Sequence, residues 1–413
     1  MKKRLRVAVV TETYPPEING VALSLSRLLE GARSHCDLEL VRVDRSDLDA
    51  CGPDELRLAG FPLPGYARLR AGFPAWVRLW RRWSGQRPDV VHLATEGPLG
   101  FSALHVARRL RIPVSSDFRT HFEQYVEHYR VGWLEPLASA YLRAFHNRCH
   151  LTCVPTQSLR ASLEAQGFQR LSVVPRGVDL SRFAPSRRQD SLRASWSNDP
   201  RHTPILVCVS RMAAEKNLEV LLDAFRLQRG QGKQVELVMV GDGPVREALE
   251  RKYPEARFVG MKTGQELAEH YASADLFCFP SKSETFGNVT LEAMASGLPV
   301  VAYRHGAAAA LLQDQLHGWV LKDFSAEAFA AALGDALQRW EREGPLAWQD
   351  MGFAARACAQ SQSWDAVVGQ MLGHWYALGR HSAAGPDAEA TPISSPTQFS
   401  VRPDKRRSEV AGR

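Results

Sequence analysis

The chain has no apolar run approaching the ~18–20 residues that a helix needs to cross a bilayer, so no membrane span is expected. Cysteine is sparse. The seven are scattered and odd in number, which argues against a disulfide framework and fits reduced thiols in a cytoplasm. His146, Cys149, His150 and Cys153 have a spacing that would suit a metal on a helix. Thr152-Cys153-Val154 reads as a strand, however, and no second ligand pair accompanies them, so no metal is expected. The basic start is followed by an apolar run that breaks at Thr11-Glu12, a first strand and not a signal peptide. Acidic residues fall only slightly short of basic ones, 45 against 52. The net charge of +7 suits anionic ligands or an anionic membrane surface, and nothing else in the sequence supports nucleic-acid binding.

At 413 residues the chain exceeds what one core usually serves, and two domains are expected. Arg6 to Val10 reads as a strand, Pro15-Pro16 and Asn19-Gly20 hold a loop open, and Val21 to Gly31 reads as a helix. Strands at Leu38–Val43, Val90–Leu93 and Val114–Ser116 alternate with helical stretches such as Phe101–Leu110, which predicts a parallel sheet covered on both faces. Ligands of such sheets bind at the carboxyl ends of strands. Gly20 stands at one such end, where it fits close approach to a ligand or a plain turn equally well. Arg119 and His121, in DFRTH after another strand, are placed near a cleft, although a surface-loop role also fits. In Pro74–Trp83, Trp76, Leu79, Trp80 and Trp83 share one helical face and Arg78, Arg81 and Arg82 the other. The favoured reading packs the tryptophans on the sheet; the competing one lays a basic amphipathic helix on an anionic bilayer.

VVPRGVDLSRFAP, from Val173 to Pro185, reads as an interdomain crossing, followed by a polar stretch from Arg187 to His202. A second α/β alternation then starts with strands at Ile205–Ser210, Gln234–Val240, Arg257–Gly260, Leu276–Pro280 and Val300–Tyr303. Arg211 and Lys216 follow the first of these, a guanidinium and an ammonium able to grip phosphate oxygens. The stretch SKSETFGNVTLEAMASGLP, Ser281 to Pro299, is a glycine-bearing loop feeding a helix N-terminus, which makes an anion site. It also holds two carboxylates, Glu284 and Glu292, eight positions apart. Helices are expected at Ser325–Glu343, Trp348–Ala359 and Trp364–Leu378, and residues 381–413 are assigned no fold.

TETYPPEINGV, PDVVHL, SSDFRTHFEQY, VPRGVD, SRMAAEKN, VGDGP, YASADLF and SKSETFGNVTLEAMASGLPVV together resemble the retaining GT-B glycosyltransferases of glycosyltransferase family 4, especially bacterial GDP-mannose-dependent α-mannosyltransferases and related glycolipid enzymes. The resemblance implies two doubly wound Rossmann-like α/β domains facing across a cleft. Residues 1–176 would take the acceptor and 177–360 the nucleotide-sugar donor. A helix at 361–380 would pack back on the first domain.

By the same resemblance, Glu292 holds the donor ribose and Glu284 the hexose. Arg211 and Lys216 neutralise the diphosphate together with backbone at Phe286, Gly287 and Asn288, while Gly20 approaches the same phosphates and Gly241 counts among the donor-binding residues. His121 or Arg119 would take the place of the histidine that relatives carry ahead of a threonine, and Arg176 replaces a usual asparagine. No cofactor or metal is implied, and Asp47-x-Asp49 is discounted because it lies in a polar loop apart from these motifs. The expected partners are a nucleotide-sugar donor, a lipid or saccharide acceptor and an anionic membrane surface, with the protein cytoplasmic or peripheral at the inner face of the cell membrane. A GT-B nucleotide-sugar epimerase is the alternative.

Overall fold

The computed structural model describes residues 4–17, 19–44, 54–63, 66–118, 135–284 and 286–383. Arg119, His121, Asp47 and Asp49 lie outside these residues, as does the tail after the last helix. Contacts divide the chain into two units. Unit 1 takes the described residues up to Phe118, with Phe145–Cys153 and the chain from Trp364. Unit 2 takes Val154–Ser363 and the described part of 119–144.

Unit 1 carries β1 (Arg6–Thr11), β2 (Asp37–Val43), β3 (Glu55–Leu58), an antiparallel hairpin of β4 (Gly60–Leu63) and β5 (Tyr66–Gly72), then β6 (Val90–Leu93), β7 (Val114–Asp117) and β8 (Leu151–Val154). All but the hairpin pair in parallel, in the order β3-β2-β1-β6-β7-β8. Strands such as Val7–Val10 are wholly buried because both faces of the sheet are covered. Strand order reverses between β1 and β6, and there Glu12 reaches across to accept from Leu99 N at 2.9 Å. It thereby caps the helix Pro98–Arg109, whose own cap residue, Gly97, has no side chain to do so. Burial pushes the Glu12 carboxyl up to about 7. Asn19 caps the helix Gly20–Ala32 through Ala22 N at 2.8 Å, and the helix Trp364–Ala383 packs on that helix, with Tyr376 donating to the His35 carbonyl at 2.8 Å.

The four residues with metal-like spacing are occupied otherwise. His146 Nδ1 lies 2.9 Å from Ser116 Oγ, His150 Nδ1 accepts from Val114 N at 3.1 Å, and Cys149 and Cys153 are buried. Among the described residues no three His, Cys, Asp or Glu come together as a metal site. The tryptophan helix, Trp76–Gly85, corrects the expectation of a single apolar face. Leu79 and Trp83 are buried against unit 1, whereas Trp76 and Trp80 are exposed. On the buried side Glu39 accepts from Arg82 Nε at 2.6 Å and from Trp83 Nε1 at 3.2 Å, and Leu79 and Trp83 pack in the core.

Unit 2 holds β9 (Leu171–Val173) and a six-stranded parallel sheet of β10 (Ile205–Val209), β11 (Glu236–Val240), β12 (Arg257–Gly260), β13 (Leu276–Phe279), β14 (Val300–Tyr303) and β15 (Gly318–Leu321), in the order β12-β11-β10-β13-β14-β15. This is the doubly wound nucleotide-binding order, with its switch point between β10 and β13. The stretch read as merely polar, Arg187–His202, contains the helix Asp190–Trp196. Its Arg193 is buried on Asp275 Oδ2 at 2.9 Å and its Trp196 is buried in the core, so a paired arginine does the anchoring that composition hides.

One contact in unit 2 supports the Glu-bearing stretch directly. The helix Pro345–Gln360 packs on the helix Asn288–Ala295, and Arg356 Nη1 donates to the Ala295 carbonyl. A Cβ at Gly352 would sit 2.0 Å from the Gly297 carbonyl oxygen. Backbone cannot yield to that clash without moving the helix, so Gly352→Ala is expected to cost about 1–3 kcal/mol. Chemical denaturation of the variant against the wild type checks this.

Candidate active site

The switch point of unit 2 places two loops side by side. After β10 the chain runs Ser210-Arg211-Met212-Ala213, makes the 3-10 turn Ala214–Lys216 and passes through Asn217 at φ +52° into the helix Leu218–Gly230. After β13 it runs through Ser281 to Gly287, which caps the next helix with φ +90°. An L side chain rarely adopts that backbone, so the glycine is required by the turn. The helix from Asn288 then points its N-terminus into the loop region, with the positive dipole end that favours an anion.

One of the expected cations, Lys216, meets the expected carboxylate here. Lys216 Nζ bonds Glu284 Oε1, both side chains being largely covered, and Ser281 Oγ donates to the same oxygen at 2.9 Å. Arg211 Nη2 pairs with Glu215 Oε1 and is the more exposed cation. Ser283 Oγ donates to the Glu215 carbonyl at 3.0 Å, which joins the two loops. Phe286 is buried, and its carbonyl accepts from Ala307 N, which anchors the loop to the start of the helix Gly306–Leu311.

Gly241 also belongs here, as a support for the first loop. A Cβ on it would fall 1.9 Å from the Ser210 carbonyl oxygen, at φ +138°, so only glycine lets the 241–245 turn lie against the β10 loop. Met212 N donates to the Asp242 carbonyl at 2.9 Å and completes that contact.

Glu292 sits just over one turn into the helix, with Tyr271 OH 3.1 Å from its Oε2 and 3.2 Å from the Val289 carbonyl. Burial pushes its carboxyl up to about 7, against the Tyr271 hydrogen bond and the Arg182 charge, which pull it down. Tyr271 is itself buried and its pKa is raised well above normal, so it stays protonated and can donate.

Four residues of this site escaped the sequence reading. Tyr271 lies in the quoted YASADLF motif but on a helix, Gly264–Ala272, that the reading did not assign. Glu215 and Ser281 lay within quoted motifs without a role. His305 follows β14, and its ring bonds the Glu284 backbone carbonyl. Burial lowers its pKa, helped by Lys216 and opposed by Glu284, which favours the neutral ring. A polar residue just past a strand's carboxyl end was the available signal for it. Unit 2 thus holds Arg211, Lys216, Gly241, Glu284, Phe286, Gly287, Asn288 and Glu292. Gly20 belongs to unit 1, where it opens the first helix.

The raised pKa of Glu292 has a signed consequence. Its folded value, about 7, exceeds the ordinary 4.5. The corresponding stability is therefore complete below the ordinary value and lost as pH rises through about 7. Glu292→Gln removes this dependence, so its melting temperature is expected to gain on the wild type between pH 5 and pH 8.5. Thermal unfolding of both proteins across that range checks it.

With this geometry in place, comparisons with known proteins are informative. Residues 18–182 match the model described as Glycosyltransferase Family 4, and residues 203–339 match the model described as Glycosyl transferases group 1. The chain is 35% identical to the GDP-mannose-dependent alpha-mannosyltransferase of Mycobacterium tuberculosis, over 91% of this chain and 97% of that protein. It is 29% identical to the alpha-monoglucosyldiacylglycerol synthase of Streptococcus pneumoniae, over 76% and 74%. Among solved structures, sucrose-phosphate synthase from Thermosynechococcus elongatus superposes with a TM-score of 0.72 at 21% identity, over 92% of this chain and all of that one, a likeness of fold. The two parallel sheets, the two family matches and the near full-length 35% identity to a mannosyltransferase agree: this chain belongs to the family 4 glycosyltransferases of GT-B fold and is a hexosyltransferase.

Proposed function

We propose that the protein moves a mannosyl group from GDP-mannose to a lipid acceptor with the α configuration retained. The observation that carries this reading is the pairing of Lys216 with Glu284 at the unit 2 switch point, with Arg211 on the same loop as Lys216, in a chain whose relatives use GDP-mannose or build glucosyl lipids. The cations, with the helix start at Gly287, bind the diphosphate and stabilise the charge that gathers on it as it leaves. Glu284 hydrogen-bonds the hexose and Glu292 the ribose. No base on the protein is required: as the acceptor oxygen bonds to the sugar's anomeric carbon and the carbon–phosphate oxygen bond breaks, the acceptor proton passes to the departing diphosphate. The epimerase alternative has no observation in its favour.

The acceptor side rests on unit 1. No described helix is long and apolar enough to cross a membrane, but Phe73, Trp76, Val77 and Trp80 are each about half exposed beside exposed Arg78 and Arg81. That surface suits an anionic bilayer, with aromatic rings at headgroup depth and arginines on lipid phosphates. The enzyme then works as a peripheral protein on lipid acceptors.

Three measurements test the reading. In a thermal-shift series, GDP-mannose is expected to raise the melting temperature more than UDP-glucose or ADP-glucose, a ligand at a hundred times its dissociation constant adding about 2.7 kcal/mol. Lys216→Ala or Glu284→Ala should cut mannosyl transfer by about 100-fold or more; full activity in either sinks the site. For the membrane arm, wild type should float with vesicles containing phosphatidylglycerol at low salt and not with pure phosphatidylcholine. Trp76→Ser/Trp80→Ser should sink, and wild type failing to float would favour a saccharide acceptor.

A further inference from the structure

Tyr271 and Glu292 form a pair in which only the glutamate has so far been given a task. Tyr271 stands in the last turn of the helix Gly264–Ala272 and is wholly buried. Its ring is fixed by Phe183 and Phe277, with centroids 5.7 and 5.8 Å away. Its hydroxyl lies 3.1 Å from Glu292 Oε2 and 3.2 Å from the Val289 carbonyl. Glu292 itself is only partly covered, so a ligand can reach it. Among the described residues Tyr271 is the one group that hydrogen-bonds its carboxylate, and no cation stands within ion-pair distance. Arg182, which lies 3.9 Å from Asp179, acts on the carboxylate from further away.

A phenol has one proton to donate, and here two acceptors compete for it. An ionised Glu292 therefore receives at most one hydrogen bond from these groups, and a shared one, for a charge partly removed from water. A protonated Glu292 can instead donate to the phenol oxygen, which leaves the phenol proton to the Val289 carbonyl. Both acceptors are then served. The direction of the carboxyl pKa agrees, since burial holds it up at about 7. A ribose diol changes the count. Its two vicinal hydroxyls bring two more donors to the carboxylate, which favours the ionised form.

We propose that Tyr271 is a positioning residue of the donor site, fixing the Glu292 carboxyl for the ribose, and that binding of the nucleotide sugar releases the proton which Glu292 holds in the free enzyme. This rests on the reading of Glu292 as the ribose ligand. The proton passes from the carboxyl to solvent as the ribose hydroxyls donate in its place, and no other bond changes. The sign of the linkage follows. A ligand that prefers the ionised carboxylate binds better as pH rises, and its affinity levels off above about 7.

Other titrating groups near the pair differ in range or in sign. Burial raises the pKa of Tyr271 well above normal, and those of Cys208 on β10 and Tyr303 on β14 to about 12. Cys278 on β13 is raised as well. His270 shares the helix of Tyr271, but its Nδ1 lies 2.7 Å from the Glu266 carbonyl, its ring packs on Trp196, and burial lowers its pKa. On the same helix Glu266 is paired with Lys262, and Glu269 accepts from Gln265. The helix Pro345–Gln360 brings Arg356, on the Ala295 carbonyl, with an exposed Asp350 and a Cys358 of raised pKa. The helix Gly306–Leu311 has no ionisable side chain. His305 would respond with the opposite sign, because phosphate arriving near its ring favours proton uptake.

The experiment is calorimetry of GDP-mannose binding to the wild type, Glu292→Gln and Tyr271→Phe, in buffers of low and high ionisation heat, which counts the protons exchanged. GDP-mannose suits it because its diphosphate diester does not titrate near neutrality, whereas a terminal phosphate does. At pH 7 about half a proton should leave per GDP-mannose bound to the wild type. Wild-type affinity should fall about tenfold from pH 8.5 to pH 6. Glu292→Gln should release no proton and lose no affinity over that range. Tyr271→Phe should raise KM for GDP-mannose about tenfold at pH 7 with a smaller loss in kcat, and move the affinity inflection up by about one pH unit.

Proton uptake by the wild type, a release that survives in Glu292→Gln, or an unchanged KM and inflection in Tyr271→Phe each overturn the proposal. If Tyr271→Phe melts early, calorimetry of Glu292→Gln decides; if Glu292→Gln no longer binds, the inflection in Tyr271→Phe decides. Absence of GDP-mannose binding to the wild type at pH 8.5 would refute the donor-site reading and this proposal with it. Tight binding without proton exchange would refute the linkage alone.

Discussion

Reversal of strand order is the constraint on which the unit 2 site depends. Helices that follow β10 and β13 leave for opposite faces of the sheet, so the loops at the two strand ends part and leave an open crevice. Parting loops need a tie, and here the ties are polar: Lys216 to Glu284 and Ser283 to the Glu215 carbonyl. The groups that close the gap are also those able to bind a diphosphate and a sugar. Structure and chemistry thus draw on one set of side chains, with glycine backbone underneath. Gly241 admits the neighbouring turn, Gly287 turns the chain into its helix, and Gly352 lets a second helix lie against the first.

Charge balance in the crevice follows from this arrangement. Each of the two cations carries a carboxylate of the protein, so in the absence of an anion the pairs are compensated. In the proposed reaction, a diphosphate arriving there would exchange partners instead of meeting bare charge. Glu292 stands apart from this exchange. It is partly covered and lies beside a buried tyrosine that stays protonated, an environment suited to hydrogen-bonding a neutral diol.

Unit 1 repeats the sheet order with different chemistry at the same place. Its switch point carries Glu12, which caps the helix Pro98–Arg109 in place of the missing side chain of Gly97. Its outward face carries half-exposed tryptophans between arginines, while the other side of the same helix packs Leu79 and Trp83 in the core and bonds Arg82 and Trp83 to Glu39.

Strands with continuous apolar runs were legible from the residues alone; Val90–Leu93, Arg257–Gly260 and Val300–Tyr303 stand as read. The Glu284–Glu292 stretch was legible too, because a loop ending in Gly287 before an apolar helix has few other meanings. Strand β15, the hairpin of β4 and β5 and the helix Gly264–Ala272 were missed, since short elements lean on neighbours for stability and carry weak periodicity. Sequence thus determined which residue types were available for binding an anion and a sugar, and the order of strands and helices that carries them. Tertiary structure alone decided the pairings. Tyr271 and Glu292 are 21 residues apart, Lys216 and Glu284 are 68 apart, and only the crossing of parallel strands over intervening helices brings such pairs within a hydrogen bond.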